Sequence, residues 1–79
     1  MTELLFIDSE PVDDIIIQAC TERGLGFRQL ADGKEALAYA KENIPSIMVL
    51  NVELPAVSGY TVCNKVKKDA GLKTVPLIL

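Results

Sequence analysis

The chain has 79 residues, of which 49% are hydrophobic and 24% charged, and its formal net charge is −3. This length allows at most one small domain, since the commonest domain size is about 100–150 residues. The negative charge argues against a nucleic-acid interface, and the absence of histidine excludes Ser/His/Asp and Cys/His catalysis. No apolar run approaches the roughly 20 residues of a transmembrane helix, and the N-terminus lacks the basic start of a secretory signal. These features predict a cytoplasmic protein without membrane contact.

The first strand and helix follow directly from the start of the chain. The apolar block Leu4–Ile7 predicts a strand that is buried on both faces, as in a parallel sheet. It is closed by the polar group Asp8–Glu10. Helix one is expected to begin at Ser9 or Glu10, and apolar positions recur at helical spacing over Val12–Arg23. Glycines just after this range end the helix.

Three more strands and two more helices are predicted in the rest of the chain. Phe27–Ala31 alternates loosely between glycines and predicts an exposed, edge-like strand, and helix two covers about Lys34–Glu42. The most apolar strand is Ile47–Leu50, and helix three covers about Ser58–Lys68. Val75–Leu79 predicts the fourth strand, with a proline near its start, where proline is tolerated.

The alternation of strands and helices predicts an α/β fold with a parallel sheet that is covered on both faces. In such a sheet, functional groups lie just beyond the carboxyl ends of the strands, where Asp8 and Asn51 stand. The sequence stops inside the apolar run of the fourth strand, whose unpaired edge would be open to another chain. We therefore expect a fragment of a longer fold, or an edge covered by something else. The 79-residue chain by itself is expected to associate or to be poorly stable.

Five further residues are not assigned to a site. Cys20 and Cys63 fall on the apolar sides of predicted helices and belong to no CxxC or Cys/His cluster. Buried thiols in a reducing compartment are expected, without a disulfide or zinc. Lys65, Lys67 and Lys68 form the longest basic cluster and are expected to be a solvated helix face.

Three blocks of sequence carry a resemblance to a known family. They are Ile7-Asp8-Ser9-Glu10-Pro11, then Asn51-Val52-Glu53-Leu54-Pro55-Ala56-Val57-Ser58-Gly59, then Gly59-Tyr60 through Lys67-Lys68 with Val75-Pro76-Leu77-Ile78. With this joint spacing, the chain resembles the CheY-like receiver domain of bacterial two-component response regulators, which accepts a phosphoryl group on an aspartate. The resemblance covers all 79 residues but only about the first two-thirds of the family domain. It implies a partial receiver-like domain over residues 1–79. The fold would be flavodoxin-like, a doubly wound but incomplete parallel sheet with strand order 2-1-3-4.

The resemblance also implies a phosphorylation site that has lost most of its side chains. The family's phosphoacceptor aspartate aligns with Asn51, and its Mg²⁺-binding acid pair aligns with Asp8 and Ser9. The family's switch hydroxyl and its lysine would lie beyond Leu79. Since an amide is not a nucleophile and Mg²⁺ needs carboxylates, we expect no cofactor and no metal beyond a weak Mg²⁺ contact of Asp8. The residual acidic pocket comprises Asp8, Ser9, Glu10 and Glu53.

Structural roles are open for several of these residues. Pro55 and Gly59 are expected to shape the loop after the third strand, as the resemblance implies. Asp8 or Ser9 is an alternative cap for helix one. Asn51 is expected to hydrogen-bond within its loop, because buried polar groups seek partners.

The resulting hypothesis is a non-catalytic pseudo-receiver of a phosphorelay protein. It would act by protein–protein contact with a signalling or motility effector, or with its own effector domain. It shows some likeness to the degenerate receiver of a myxobacterial gliding-motility regulator. One alternative is a working receiver that uses Asp8 or Glu53 as phosphoacceptor. The least favoured alternative is a flavodoxin-like cofactor-binding module. Such a module needs a phosphate-binding loop rich in hydroxyls and glycine after the first strand, where this chain has the acidic stretch Asp8–Pro11.

Overall fold

The computed structural model describes residues 3–54 and 57–79. Within these ranges, strands and helices alternate in the order β1 (Glu3–Ile7), α1 (Asp14–Glu22), β2 (Gly26–Leu30), α2 (Gly33–Glu42), β3 (Ile47–Leu50), α3 (Gly59–Lys68) and β4 (Leu77–Ile78). All the strand pairs are parallel, and the sheet has the order β2-β1-β3-β4. The predicted α/β fold and the strand order 2-1-3-4 are therefore confirmed, with β2 at one edge.

The hydrophobic core lies between one face of the sheet and helices α2 and α3. Alternate residues of a strand point to the same face, and Leu5, Ile7, Met48 and Leu50 are each at most 1% exposed. The two helices add Ala36, Leu37, Ala40, Val62, Cys63 and Val66 to this cluster. This core holds β1 and β3, the two strands that lead into the candidate site.

Helix α1 covers the opposite face of the sheet only in part. It packs against β2, and Cys20 is the one residue of the helix that is fully buried. Ile15 is 72% exposed, although it belongs to the apolar pattern that predicts this helix. Together with Leu4 and Leu25, the helix lines an open apolar groove. The apolar pattern of helix one therefore predicted a helix correctly but not its burial.

Helix α1 also begins later than predicted. Asp13 is its N-cap, and its carboxylate accepts a backbone N–H two residues further on at 2.9 Å. The prediction of a start at Ser9 or Glu10 is wrong, and so is the proposed capping role of Asp8 or Ser9. The Glu10 carbonyl, which would accept the first helical hydrogen bond, accepts one from the side chain of Gln29 at 2.6 Å instead.

Strand β4 covers two residues, although the sequence predicts a strand over Val75–Leu79. Val75 donates its N–H to the Leu72 carbonyl in a turn, and Pro76 has no N–H for the ladder. Pairing with β3 therefore starts at the Pro76 carbonyl, which accepts the Met48 N–H at 2.9 Å.

The remaining helix predictions agree with the structure to within one residue. Asp32 and Ser58 cap α2 and α3 through their side chains. Cys20 and Cys63 are free, buried thiols, as predicted. Within residues 3–54 and 57–79, none of the helices has the length and apolarity that crossing a membrane requires.

At the amino end of the sheet, three side chains tie β1 and β2 to α2. The Tyr39 hydroxyl donates a hydrogen bond to the Glu3 carboxylate, and Arg28 Nε lies 3.7 Å from the other oxygen of Glu3. The Arg28 guanidinium also lies 4.7 Å from the centre of the Tyr39 ring. The hydrogen bond to Glu3 raises the pKa of Tyr39 above its ordinary value. This cluster is at the end of the strands opposite to the candidate site.

Gly59 brings the start of α3 against the loop that follows β3. Its N–H donates to the Val52 carbonyl at 2.9 Å. A Cβ at this position would lie 2.5 Å from the Val52 Cα and would also overlap the Asn51 carbonyl oxygen. Since both neighbours are backbone atoms, only glycine permits this approach. Pro55, the other residue expected to shape the loop, lies outside the described residues.

Replacing Gly59 with alanine should destabilise the fold, because the new methyl group collides with backbone that cannot move aside. We expect the Gly59→Ala variant to lose about 1–3 kcal/mol of unfolding free energy. The matched control is Gly71→Ala, where the nearest atom to an added Cβ is Asp69 Oδ1 at 3.4 Å. Urea denaturation should show the loss at position 59 only, and equal midpoints for the two variants would contradict the close approach.

Because the two faces of the sheet are covered to different degrees, replacing isoleucine with alanine should cost much more stability on one face than on the other. Ile7 is fully buried, so Ile7→Ala should cost about 2–5 kcal/mol through lost burial and the cavity that remains. Ile15 is largely exposed in a helix, where alanine has the higher helix propensity, so Ile15→Ala should change stability by less than about 0.5 kcal/mol. Thermal or urea unfolding followed by circular dichroism measures both, and a large loss for Ile15→Ala would show that this side chain is buried in solution.

Candidate functional site

The candidate site lies at the carboxyl ends of β1 and β3, which are neighbours in the sheet. Ile7 and Leu50 are paired in the parallel register, so the residues that follow them, Asp8 and Asn51, leave the sheet side by side. The Asn51 N–H also donates to the Ile7 carbonyl at 2.9 Å, which extends the ladder by one bond. Strand pairing therefore brings together two residues that are 43 positions apart in the sequence.

The side chain of Asn51 makes two hydrogen bonds that determine its orientation. Its Oδ1 accepts the backbone N–H of Glu53 at 2.9 Å, and its Nδ2 donates to Asp8 Oδ1 at 3.1 Å. A backbone N–H can only donate, so the oxygen of the amide must face Glu53 and the nitrogen must face Asp8. The prediction that Asn51 hydrogen-bonds within its loop is confirmed. The bond to Asp8 was not predicted.

The same oxygen of Asp8 accepts a second hydrogen bond, from the Glu10 N–H at 3.0 Å. This bond closes a tight turn of the loop between β1 and α1. The Asp8 N–H donates to the Leu30 carbonyl at 3.1 Å, which ties the start of the loop to β2. The half-buried carboxylate of Asp8 is thus held by donors from two loops.

Two of the other predicted pocket residues, Glu10 and Glu53, contact Asp8 and Asn51 through their backbone N–H groups. The side chains of Ser9, Glu10 and Glu53 are exposed. Within residues 3–54 and 57–79, no group of three or more His, Cys, Asp or Glu side chains is arranged to hold a metal ion. Of the residues expected at this site, Asp8 and Asn51 are the two whose side chains are joined by a hydrogen bond.

The family resemblance implies a Mg²⁺ site at this position, and the residues present do not fit one. Mg²⁺ is bound through oxygen ligands, usually with one or two carboxylates among them. Here the nitrogen of Asn51, with its positively polarised hydrogens, faces Asp8 from the adjacent strand end. The Asp8 oxygen on that side already accepts two N–H donors. No step that requires a metal ion is therefore assigned to this chain.

Gln29 is a residue of the site region that the sequence pattern did not reveal. Its Nε2 donates to the carbonyls of Asp8 and Glu10 at 2.9 and 2.6 Å. The one signal in the sequence is an amide within a strand, next to the strand's last residue. An amide at such a position is more often exposed, so the pattern alone gives no reason to assign it a role.

Comparisons with known proteins agree with this fold. The DNA-binding dual master transcriptional regulator RpaA of Synechocystis sp. is 29% identical over 80 residues, which cover 100% of this chain and 33% of RpaA. The receiver domain of the sensor histidine kinase PA1611 of Pseudomonas aeruginosa PAO1, solved with magnesium coordinated in its active-site cleft, superposes with a TM-score of 0.81 at 23% identity. That superposition covers 96% of this chain and 63% of the solved one.

A second similar structure is the complex of histidine kinase ThkA with the response regulator protein TrrA. It matches with a TM-score of 0.80 at 24% identity, over 98% of this chain and 66% of the solved one. The chain spans a third or less of the length of the curated relatives it matches. The sequence profile of the response regulator receiver domain matches residues 4–79. The chain therefore belongs to the family of response regulator receiver domains.

Proposed function

We propose that this chain is a pseudo-receiver, a non-catalytic module of a two-component signalling protein that binds protein partners without aspartyl phosphorylation. The observation that carries the proposal is the hydrogen bond from Asn51 Nδ2 to Asp8 Oδ1. Asn51 is the first residue after β3, where the family resemblance implies the phosphoacceptor aspartate. An aspartate accepts a phosphoryl group because its carboxylate is a nucleophile, and an amide is not one.

The chemistry of the Asp8–Asn51 pair explains how the site is stable without a metal ion. An aspartate at position 51 would place an anionic oxygen about 3.1 Å from Asp8 Oδ1. Two carboxylates at that distance repel each other and require a proton or a cation between them. The Asn51 amide supplies an N–H to the same oxygen and removes one negative charge. The pair is therefore complete in the absence of Mg²⁺ and phosphate.

We propose protein partners for this module. Receiver domains interact with histidine kinases and effector domains, and the similar protein TrrA was solved bound to a histidine kinase. For this chain, the partner would be a signalling or motility effector or its own effector domain, bound in a manner independent of phosphorylation. The two buried free thiols, Cys20 and Cys63, support a location in the reducing cytoplasm.

The wild-type chain should not respond to Mg²⁺ with beryllofluoride or a small phosphodonor. The Asn51 amide cannot attack phosphorus, and its N–H rather than an oxygen ligand faces Asp8 Oδ1. NMR titration should show no saturable shifts at Asp8 or Asn51, and mass spectrometry should show no phosphoryl adduct. The double variant Asn51→Asp with Ser9→Asp restores two carboxylates and should bind Mg²⁺ saturably. Asn51→Asp alone separates the effect of charge at position 51 from that at position 9.

A saturable, Asn51-dependent response of the wild-type chain would contradict the proposal. The working-receiver alternative has a distinct signature, namely phosphoryl labelling from a kinase that disappears in Asp8→Asn or Glu53→Gln. No contact in the described residues favours that alternative over the pseudo-receiver, since Glu53 is exposed and Asp8 accepts two hydrogen bonds.

We further propose that strand β4 is one surface through which the chain associates with itself. Among the described strands, β4 pairs with β3 on one side and with no strand on the other. Ile78 in this strand is 52% exposed, and the adjacent Leu79 is 57% exposed. An exposed apolar strand edge of this kind is a template for pairing with another chain.

Sedimentation velocity over a range of concentrations should detect this self-association. A lysine on an edge strand blocks pairing, so Ile78→Lys should lower the associated fraction. The matched control is Ile44→Lys, which puts the same charge on a side chain that is 55% exposed between α2 and β3. Equal association of the two variants, or a monomeric wild-type chain at all concentrations, would contradict a role of the β4 edge.

A further inference from the structure

The side chain of Gln29 contacts the loop that carries Asp8. Gln29 is the fourth residue of β2 and pairs in register with Phe6 of β1. Its neighbour Leu30 faces the core formed with α2 and α3, so Gln29 faces the other side of the sheet. It is half-buried there, one residue before the end of its strand. At this position, the side-chain amide of Gln29 reaches the start of the loop that follows β1.

Both N–H groups of the Gln29 amide are available for the loop. Its Nε2 donates to the Asp8 carbonyl at 2.9 Å and to the Glu10 carbonyl at 2.6 Å. These two carbonyls flank the turn that the Asp8 carboxylate closes onto the Glu10 N–H. The Gln29 amide therefore bonds to two carbonyls of the turn, while the Asp8 carboxylate bonds to its Glu10 N–H. A side chain without two donors cannot do this, and glutamate would present oxygens to the carbonyl oxygens.

The hydrogen bonds continue from this turn to the neighbouring loop. Asp8 Oδ1 accepts from Asn51 Nδ2, and Asn51 Oδ1 accepts from the Glu53 N–H. A connected path of hydrogen bonds thus runs from β2, through the loop after β1, to the loop after β3. Within this path, Gln29 is the only side chain that comes from the body of a strand rather than from a loop.

We propose that Gln29 is a positioning residue that orients the Asp8 carboxylate toward Asn51 and so keeps both loops in one conformation. This inference deepens the proposed function and rests on it, because a pseudo-receiver lacks the metal ion and phosphoryl group that could orient these loops. The side chains of the chain itself take over that task. The state of the site is then built into the sequence rather than set by a phosphoryl signal.

The test replaces Gln29 with glutamate and compares it with the same substitution at an exposed position. Gln29→Glu keeps the shape and removes both donors, whereas Gln18→Glu changes an amide on the solvent side of α1. Backbone hydrogen exchange and the NMR signals of the Asn51 side-chain amide report on the two ends of the path. In Gln29→Glu, we expect the Glu10 and Glu53 N–H groups to exchange about five- to tenfold faster, as the loss of one hydrogen bond predicts.

The Asn51 side-chain signals should move toward those of a free amide in the same variant. The Ser46 N–H, which bonds to the Glu3 carbonyl at the opposite end of the sheet, should exchange as in the wild type. Gln18→Glu should leave all these signals unchanged. Gln29→Met, which is neutral and of similar length, should reproduce the effect if the glutamate variant fails to fold.

Two outcomes would overturn the inference. If Glu10 exchanges faster while Glu53 and the Asn51 amide stay unchanged, Gln29 holds its loop but does not position Asp8. If Ser46 and the rest of the sheet exchange faster to the same degree, Gln29 has a general structural role. These measurements need no Mg²⁺ and no phosphodonor. A failure of the inference is therefore distinguishable from a failure of the pseudo-receiver proposal, which appears only as a response of the wild-type chain to those reagents.

Discussion

The hydrogen bond between Asn51 and Asp8 is the interaction on which the state of this site depends. Parallel pairing of β1 and β3 delivers the two residues to the same edge of the sheet, whatever their chemistry. Once there, a half-buried carboxylate needs a donor or a cation, because leaving it without a partner costs free energy. The Asn51 amide supplies that donor at 3.1 Å. The Asp8 carboxylate thus receives a hydrogen-bond donor from within the chain, and this is the basis for proposing a receiver fold without a phosphoryl switch.

Several parts of the structure support this arrangement from outside the pair. Gly59 lets the start of α3 approach the backbone of Asn51 and Val52, which sets the course of the loop after β3. Gln29 bonds to the carbonyls on either side of the Asp8 turn. Gln29 and Asn51 are linked through Asp8, since Gln29 bonds to its carbonyl and Asn51 bonds to its carboxylate.

The fold could be predicted in large part from the sequence, because local periodicity determined most elements. The buried residues of β1, β3, α2 and α3 follow strand or helix spacing, and the polar N-caps Asp32 and Ser58 stand where those helices begin. The errors in the bounds of the elements have different origins. Helix α1 starts at Asp14 with Asp13 as its cap, and the Glu10 carbonyl accepts a hydrogen bond from Gln29, 19 residues away. Strand β4 begins only at Leu77 because Val75 lies in a turn and Pro76 has no N–H for pairing with β3.

The sequence by itself determined the alternation of strands and helices, the amide at position 51 and the resemblance to receiver domains. These depend on residue identity and on spacing along the chain, which can be read without coordinates. Only the tertiary structure decided how the Asn51 amide is oriented, that Asp8 is its acceptor, and that Gln29 reaches the loop from a neighbouring strand. These contacts join residues between 19 and 43 positions apart. Sheet pairing and core packing bring such distant residues together. A local sequence pattern does not indicate which donor then bonds to which acceptor.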